Sequence, residues 1–211
     1  MDARPRPGSC HDAAMLDTAV RRRIDPALDR TAAFAHARGV SPGAVTAVGL
    51  AVGIGACVAA GFGAWALALV LWLLNRALDG LDGAIARRRG PSDLGGMLDF
   101  VADFVVYGGF VVGVAIAVPD ARVACCALLA AYLLNNVALL SFAALIEKRR
   151  LALGDERSLR FTPALTEGTE TIVAYVAFCL VPGHAEIVAW VFCAMVMVSV
   201  AQRIALARRT L

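Results

Sequence analysis

The apolar positions of this 211-residue chain fall in long continuous runs separated by short polar breaks, with no strand-like alternation. In lipid the backbone must satisfy its own polar groups, which leaves helices or closed barrels. Unbroken runs of this length fit helices, and the pattern predicts six of them. Ser41-Pro42 reads as an N-cap with proline in the first turn, opening a Gly/Ala-rich first span over 43–61. Gly61-Phe62-Gly63 turns the chain into a second helix, 64–87, apolar through Leu74 and then carrying Asn75, Arg76, Asp79 and Asp82. The third helix, 94–118, reverses that order, with carboxylates first and an apolar run after them. Pro119-Asp120 ends it. A fourth helix, 121–147, holds Tyr132, Asn135 and Asn136 in its middle. Thr162-Pro163 caps a fifth that reaches Leu180, and a sixth runs over 185–208.

Ahead of these spans, residues 1–15 read as a Pro/Gly-containing mobile tail without the apolar core of a signal peptide. From Leu16 to Arg38, Leu16, Val20, Ile24 and Leu28 recur every four residues among Arg21, Arg22, Arg23 and Arg30. That spacing predicts an amphipathic helix with a basic face lying on the membrane surface; a solvated charged helix is the plainer reading. No internal repeat is evident, and one domain over 16–211 accounts for the rest. The expected fold class is therefore an all-α integral membrane protein, six transmembrane helices preceded by an amphipathic surface helix.

Composition agrees: 60% of residues are hydrophobic and 18% charged, which excludes an ordinary soluble domain. The net charge of +3 is too small to imply nucleic acid, so its placement matters more. Seven Lys/Arg precede the first span, three lie at Arg87–Arg89, five between Lys148 and Arg160, and three between Arg203 and Arg209. The opposite turns contribute only Arg122. The positive-inside rule then puts both termini and the acidic residues on the cytoplasmic side, in a bacterial inner membrane by expectation. Cys57, Cys125, Cys126, Cys179 and Cys193 lie within apolar runs, where cysteine acts as a small hydrophobe.

Four carboxylates, Asp79, Asp82, Asp99 and Asp103, sit at the ends of two apolar segments. A charge at membrane depth costs about 2.5–3.5 kcal/mol and is normally kept for function. Asp79 and Asp82 are three apart and Asp99 and Asp103 four apart, so each pair shares a helix face. The short loop Gly90-Pro91-Ser92 lets the two faces meet. Converging carboxylates repel unless they are protonated or bound to cations, and hard divalent ions such as Mg²⁺ or Mn²⁺ suit oxygen ligands. Plain structural pairing would need cationic partners, with Arg76 and Arg87 the nearest. An ion-coupled transporter using the acids as a cation pathway is a second reading, although transporters usually spread such groups through the midplane. Glycines that expose backbone, Gly83, Gly95 and Gly96, and a phosphate-binding Arg87 favour phosphoryl transfer from a pyrophosphate.

The stretch Asp79-Gly-Leu-Asp82-Gly83-Ala84-Ile85-Ala86-Arg87, followed by Gly95-Gly-Met-Leu-Asp99-Phe-Val-Ala-Asp103, resembles the signature of the CDP-alcohol phosphotransferase (phosphatidyltransferase) family. The spacer Arg88–Leu94 has seven residues where that signature has eight, a change that falls in the loop. Where the family often carries Ser/Thr-Pro-Asn, this chain reads Ser41-Pro42-Gly43. The resemblance covers roughly 16–208. It implies that Asp79, Asp82 and Asp99 ligate a two-metal centre of Mg²⁺ or Mn²⁺, with Asp103 as a further ligand and as general base for the acceptor hydroxyl. It also implies that Gly83, Ala86, Arg87 and Gly95 line the site for the CDP-linked lipid donor, with Arg87 on the pyrophosphate. The implied reaction passes a phosphatidyl or related group to an alcohol, releasing CMP, in phospholipid synthesis. A homodimer is implied as well.

The signature does not name the acceptor. Glu167, Glu170 and Thr171 share one polar face at the start of the fifth helix and are candidates to bind it. Pairing of those acids with the Lys148–Arg160 cations, or with the helix N-terminus, accounts for them equally well. Arg149, Arg150, Arg157 and Arg160 would suit a phosphorylated acceptor, but a positive-inside loop carries such residues anyway.

Overall fold

The structure, a computed structural model, describes residues 28–90, 92–149 and 168–211. Helix α1 spans 28–37. It is followed by α2 (Pro42–Gly61), α3 (Trp65–Arg89), α4 (Asp93–Ala117), α5 (Arg122–Lys148), α6 (Gly168–Leu180) and α7 (Ala185–Thr210). No strand occurs among the described residues. The expected tail, 1–15, and the first part of the surface helix, 16–27, lie outside the described residues. So does the Thr162-Pro163 cap.

The helix ends follow from local chemistry. Ser41 Oγ accepts the Ala44 N–H at 3.2 Å, and Pro42 opens α2. Ser92 Oγ accepts the Gly95 N–H at 3.1 Å and caps α4 one residue earlier than expected. Gly90 closes α3 with φ +92°, a backbone region that disfavours side chains. One-turn 3₁₀ segments at Pro119–Ala121 and Pro182–His184 lead into α5 and α7.

Among the described residues, four helices are long and apolar enough to cross a membrane: α2, α4, α5 with its leading turn, and α7 with its leading turn. The expectation was six. Helix α3 has 25 residues, about 37 Å at 1.5 Å per residue against a hydrocarbon core of about 30 Å. Its second half, however, carries Arg76, Asp79, Asp82, Arg87, Arg88 and Arg89, so it is not apolar enough by composition. Helix α6 is described over only 13 residues.

Aromatic residues build the core. Trp72, Phe110, Tyr175 and Phe178 are fully buried, and the Trp72 and Tyr175 rings stack at 4.4 Å. Tyr175 satisfies its hydroxyl by donating to the Tyr107 carbonyl at 2.9 Å and meeting the Tyr132 hydroxyl at 3.0 Å. This cluster ties α6 to α3, α4 and α5.

Helix α2 is the spine of the other half. It packs closely on both α3 and α4, and those two lean on it more than on each other. Small residues permit the approach: a Cβ added at Gly113 of α4 would stand 2.5 Å from the Cys57 carbonyl oxygen of α2. Helix α1 seats Ala32 against Val45 of α2 and Ala84 and Ile85 of α3. It thus covers the end of the bundle that carries the acids while leaving Phe34 58% exposed, as a surface helix requires.

Candidate active site

Three helices contribute to one polar cluster. Their register places Asp79 and Asp82 on α3, Asp99 and Asp103 on α4, and Thr46 on α2 toward the same space. Asp79, Asp82 and Asp99 each offer a carboxylate oxygen within 4.8 Å of the other two. Asp82 is 4% exposed, and its Oδ2 accepts the Thr46 hydroxyl at 2.7 Å. The three acids, with Asp103, Thr46, Asn75 and Gly49, border a void of about 10 Å³, roughly the room of one water-sized sphere. Three carboxylates this close attract a hard cation and repel one another without one. The donor set and the space therefore fit a Mg²⁺- or Mn²⁺-sized ion.

Asp103 borders the same void but is engaged differently. Its Oδ1 accepts Arg76 Nη2 at 2.8 Å, and its Oδ2 lies 3.4 Å from the Tyr107 hydroxyl. Arg76 Nη1 also reaches Asp79 Oδ2 at 3.6 Å. Arg76 thus pairs closely with Asp103 and more distantly with Asp79, which also belongs to the tight group with Asp82 and Asp99.

A second, larger cavity of about 570 Å³ opens beside the acids. Its lining includes Asp82 and Asp99, Gly83, Ala86 and Gly95, and the apolar Leu50, Leu98, Val101 and Val105. Lined by two carboxylates and by several apolar side chains, it has the size and polarity of a site for an amphiphile. Gly83, Ala86 and Gly95 line it. Arg87 is exposed and not part of the lining; its Nη1 lies 3.4 Å from where a Gly83 Cβ would stand. Gly43 lines the cavity too, and a Cβ there would meet nothing within 4 Å. The space left by the family's usual asparagine is therefore open.

Sequence reasoning passed over three members of the cluster. Thr46 had no role assigned from the sequence. Asn75, 4% exposed, donates Nδ2 to the Gly49 carbonyl at 2.9 Å and accepts Arg76 through Oδ1. Tyr107 accepts Arg76 Nη1 at 2.7 Å. The available signal was Asn75-Arg76 closing an apolar run one turn before Asp79. Of the acceptor candidates, Glu167 lies outside the described residues, and Glu170 is partly buried in the first turn of α6. Asn135 and Asn136 on α5 bury their Oδ1 atoms.

Comparison with known proteins agrees with this geometry. The family model described as CDP-alcohol phosphatidyltransferase matches residues 40–201. The inner membrane protein YnjF of Escherichia coli (strain K12) is 39% identical over 171 residues, covering 80% of this chain and 83% of that protein. Two solved structures of the Mycobacterium tuberculosis phosphatidylinositol phosphate synthase PgsA1 share the fold at 18% identity. The complex with manganese and citrate has a TM-score of 0.68 and covers 86% of this chain and 88% of that one. The complex with CDP-DAG has a TM-score of 0.66 and covers 85% and 92%. With the acid cluster, the amphiphile-sized cavity and the match over 162 residues agreeing, the chain belongs to the CDP-alcohol phosphatidyltransferase family.

Proposed function

We propose that this protein transfers a phosphatidyl or related phospho-alcohol group from a CDP-linked donor such as CDP-diacylglycerol to an alcohol, releasing CMP. The observation that carries the reading is the three-acid group, Asp79, Asp82 and Asp99, beside a cavity that Asp82 and Asp99 line together with apolar side chains. The nucleotide diphosphate belongs at the acids and the lipid along Leu50, Leu98, Val101 and Val105. The PgsA1 neighbours, solved with manganese and with CDP-DAG, support that placement by analogy of fold.

Asp79, Asp82 and Asp99 are the residues that would hold Mg²⁺ or Mn²⁺, with Asp103 as a further ligand of a two-metal centre. Such ions, when bound, supply positive charge for the pyrophosphate and leaving-phosphate oxygens. The rest of the chemistry belongs to the chain. Asp103 takes the proton of the acceptor hydroxyl, whose oxygen attacks the phosphorus that carries the lipid. The bond from that phosphorus to the CMP oxygen breaks, and CMP leaves with the electron pair. Gly83 and Gly95 let the diphosphate approach bare backbone, and Arg87 at the edge of Gly83 receives one of its charges. Glu167 and Glu170 remain the candidates for contact with the acceptor.

The same reading takes residues 16–211 as one domain and the assembly as a homodimer. It sets the termini and the site on the cytoplasmic side, on the strength of the basic residues flanking the spans. Family membership weighs against the ion-transport alternative.

The test is CMP release by purified protein with CDP-diacylglycerol and a panel of serine, inositol, glycerol phosphate, inositol phosphate and choline, with and without Mn²⁺ or Mg²⁺. Release that needs both a divalent ion and one of these alcohols is expected, and Asp103→Asn should lower it by roughly 10²–10⁴-fold, the usual worth of a general base. No release under any condition rejects the proposal.

A further inference from the structure

Arg76 is an unusual occupant of an apolar helix: its side chain is only 10% exposed, and each nitrogen of its guanidinium has an acceptor. Nε donates to Asn75 Oδ1 at 3.0 Å. Nη2 serves Asn75 Oδ1 at 2.6 Å and Asp103 Oδ1 at 2.8 Å. Nη1 serves the Tyr107 hydroxyl at 2.7 Å and faces Asp79 Oδ2 at 3.6 Å. The Trp72 and Tyr107 rings each approach the guanidinium carbon at 4.9 Å, adding cation–π attraction. Asn75 is in turn anchored to the Gly49 carbonyl of α2. Helices α2, α3 and α4 thus converge on one immobilised cation.

Only two of its partners are carboxylates. Asp79 belongs to the three-acid group, and Asp103 is the acid outside it. Arg76 bonds Asp103 Oδ1 at 2.8 Å while the Tyr107 hydroxyl stands 3.4 Å from Oδ2, and together they fix that carboxylate at the border of the shared void. A planar fork does this; a point-charge ammonium cannot hold Asn75, Tyr107 and Asp103 in one plane. The same cation offsets part of the acid charge before any metal arrives, and it opposes the approach of a divalent ion.

We propose that Arg76 is the positioning residue of this site: it orients Asp103 for proton abstraction, at the expense of divalent-ion affinity. The inference rests on the function proposed above, and the two can fail separately.

The experiment measures Mn²⁺ binding by electron paramagnetic resonance of the free ion, alongside steady-state CMP release. Samples are the unmutated full chain, Arg76→Met and Arg76→Lys. In Arg76→Met, which keeps the apolar stem but no charge, Mn²⁺ is expected to bind about threefold or more tighter, because a nearby like charge has gone. Its kcat is expected to fall about tenfold or more while KM for the CDP donor stays within about threefold, the signature of lost orientation. In Arg76→Lys, Mn²⁺ affinity should stay within about twofold, because the charge remains, while kcat still falls about tenfold without the fork. Weaker or unchanged Mn²⁺ binding in a folded Arg76→Met protein overturns the proposal and makes Arg76 a structural brace. Full kcat in either variant overturns it too. If Arg76→Met does not fold, Arg76→Lys decides by the split between retained ion affinity and lost kcat. Unmutated protein that binds no Mn²⁺ or releases no CMP instead removes the function on which the inference stands.

Discussion

Thr46 Oγ1 has two neighbours, the Pro42 carbonyl at 3.1 Å in its own helix and Asp82 Oδ2 at 2.7 Å across to α3. Its single proton goes to the closer, charged acceptor. The contact takes up one of the carboxylate's lone pairs, leaves the others for an ion, and holds Asp82 at the border of the void it shares with Asp79 and Asp99. Groups that orient a metal ligand from behind typically carry 10–100-fold of metal affinity. Thr46→Val, which keeps the branched shape, should therefore weaken Mn²⁺ binding by about tenfold with little change in thermal stability. Isothermal titration with MnCl₂ reads the first and thermal unfolding in detergent the second. Undiminished Mn²⁺ binding would show that Asp82 needs no help to point inward.

Between helices, the acids meet because α2 brings α3 and α4 within side-chain reach, and at Gly113 the α4 backbone lies directly against that of α2. A side chain there would push on the Cys57 carbonyl and on the Gly61 nitrogen, 2.5 and 3.1 Å from an added Cβ. Both are backbone atoms inside a helix, so neither can turn aside. Gly113→Leu should separate α2 from α4 at a cost of about 1–3 kcal/mol, the usual range for overpacking. A lowered midpoint of thermal unfolding in detergent would register it. Turnover should fall with it, since Thr46 rides on α2 and Asp99 on α4; a variant as stable and active as the parent would place the tight crossing elsewhere. The loop 90–92 alone does not bring the two acid faces together, because α3 and α4 rest chiefly on the shared helix.

Across the whole molecule, the arrangement stores unfavourable charge at one end of an otherwise apolar bundle. Arg76 offsets two of the four acids directly, and Asp82 and Asp99 have no ion-pair partner within 4.0 Å among the described residues. A divalent ion that binds only the assembled cluster should stabilise the fold, by about 2.7 kcal/mol when present at 100 times its dissociation constant. Thermal unfolding in detergent should therefore shift upward with Mn²⁺ and return on addition of EDTA. The expected shift is lost in Asp82→Asn. An unfolding midpoint indifferent to Mn²⁺ would mean that the three acids do not act as one site.

What the residue order determined by itself was the helical bundle and the identity of the acids. Long apolar runs admit little but helices in lipid, and the i, i+3 and i, i+4 spacings put Asp79 with Asp82 and Asp99 with Asp103 whatever the packing. Ser41-Pro42 and Gly90 marked helix ends for equally local reasons, a cap and a positive φ. What only the tertiary structure decided was how the four acids divide. Asp103 and Asp99 are indistinguishable along α4, yet one faces Arg76 and the other joins Asp79 and Asp82. Thr46 and Tyr107 enter the cluster through contacts spanning 36 and 31 residues, to Asp82 and Arg76 respectively. Spacing within one helix says which side chains share a face. Which partner a charged group finds across that face depends on where three separate helices cross, and that is settled by close backbone approach at small residues far from the acids.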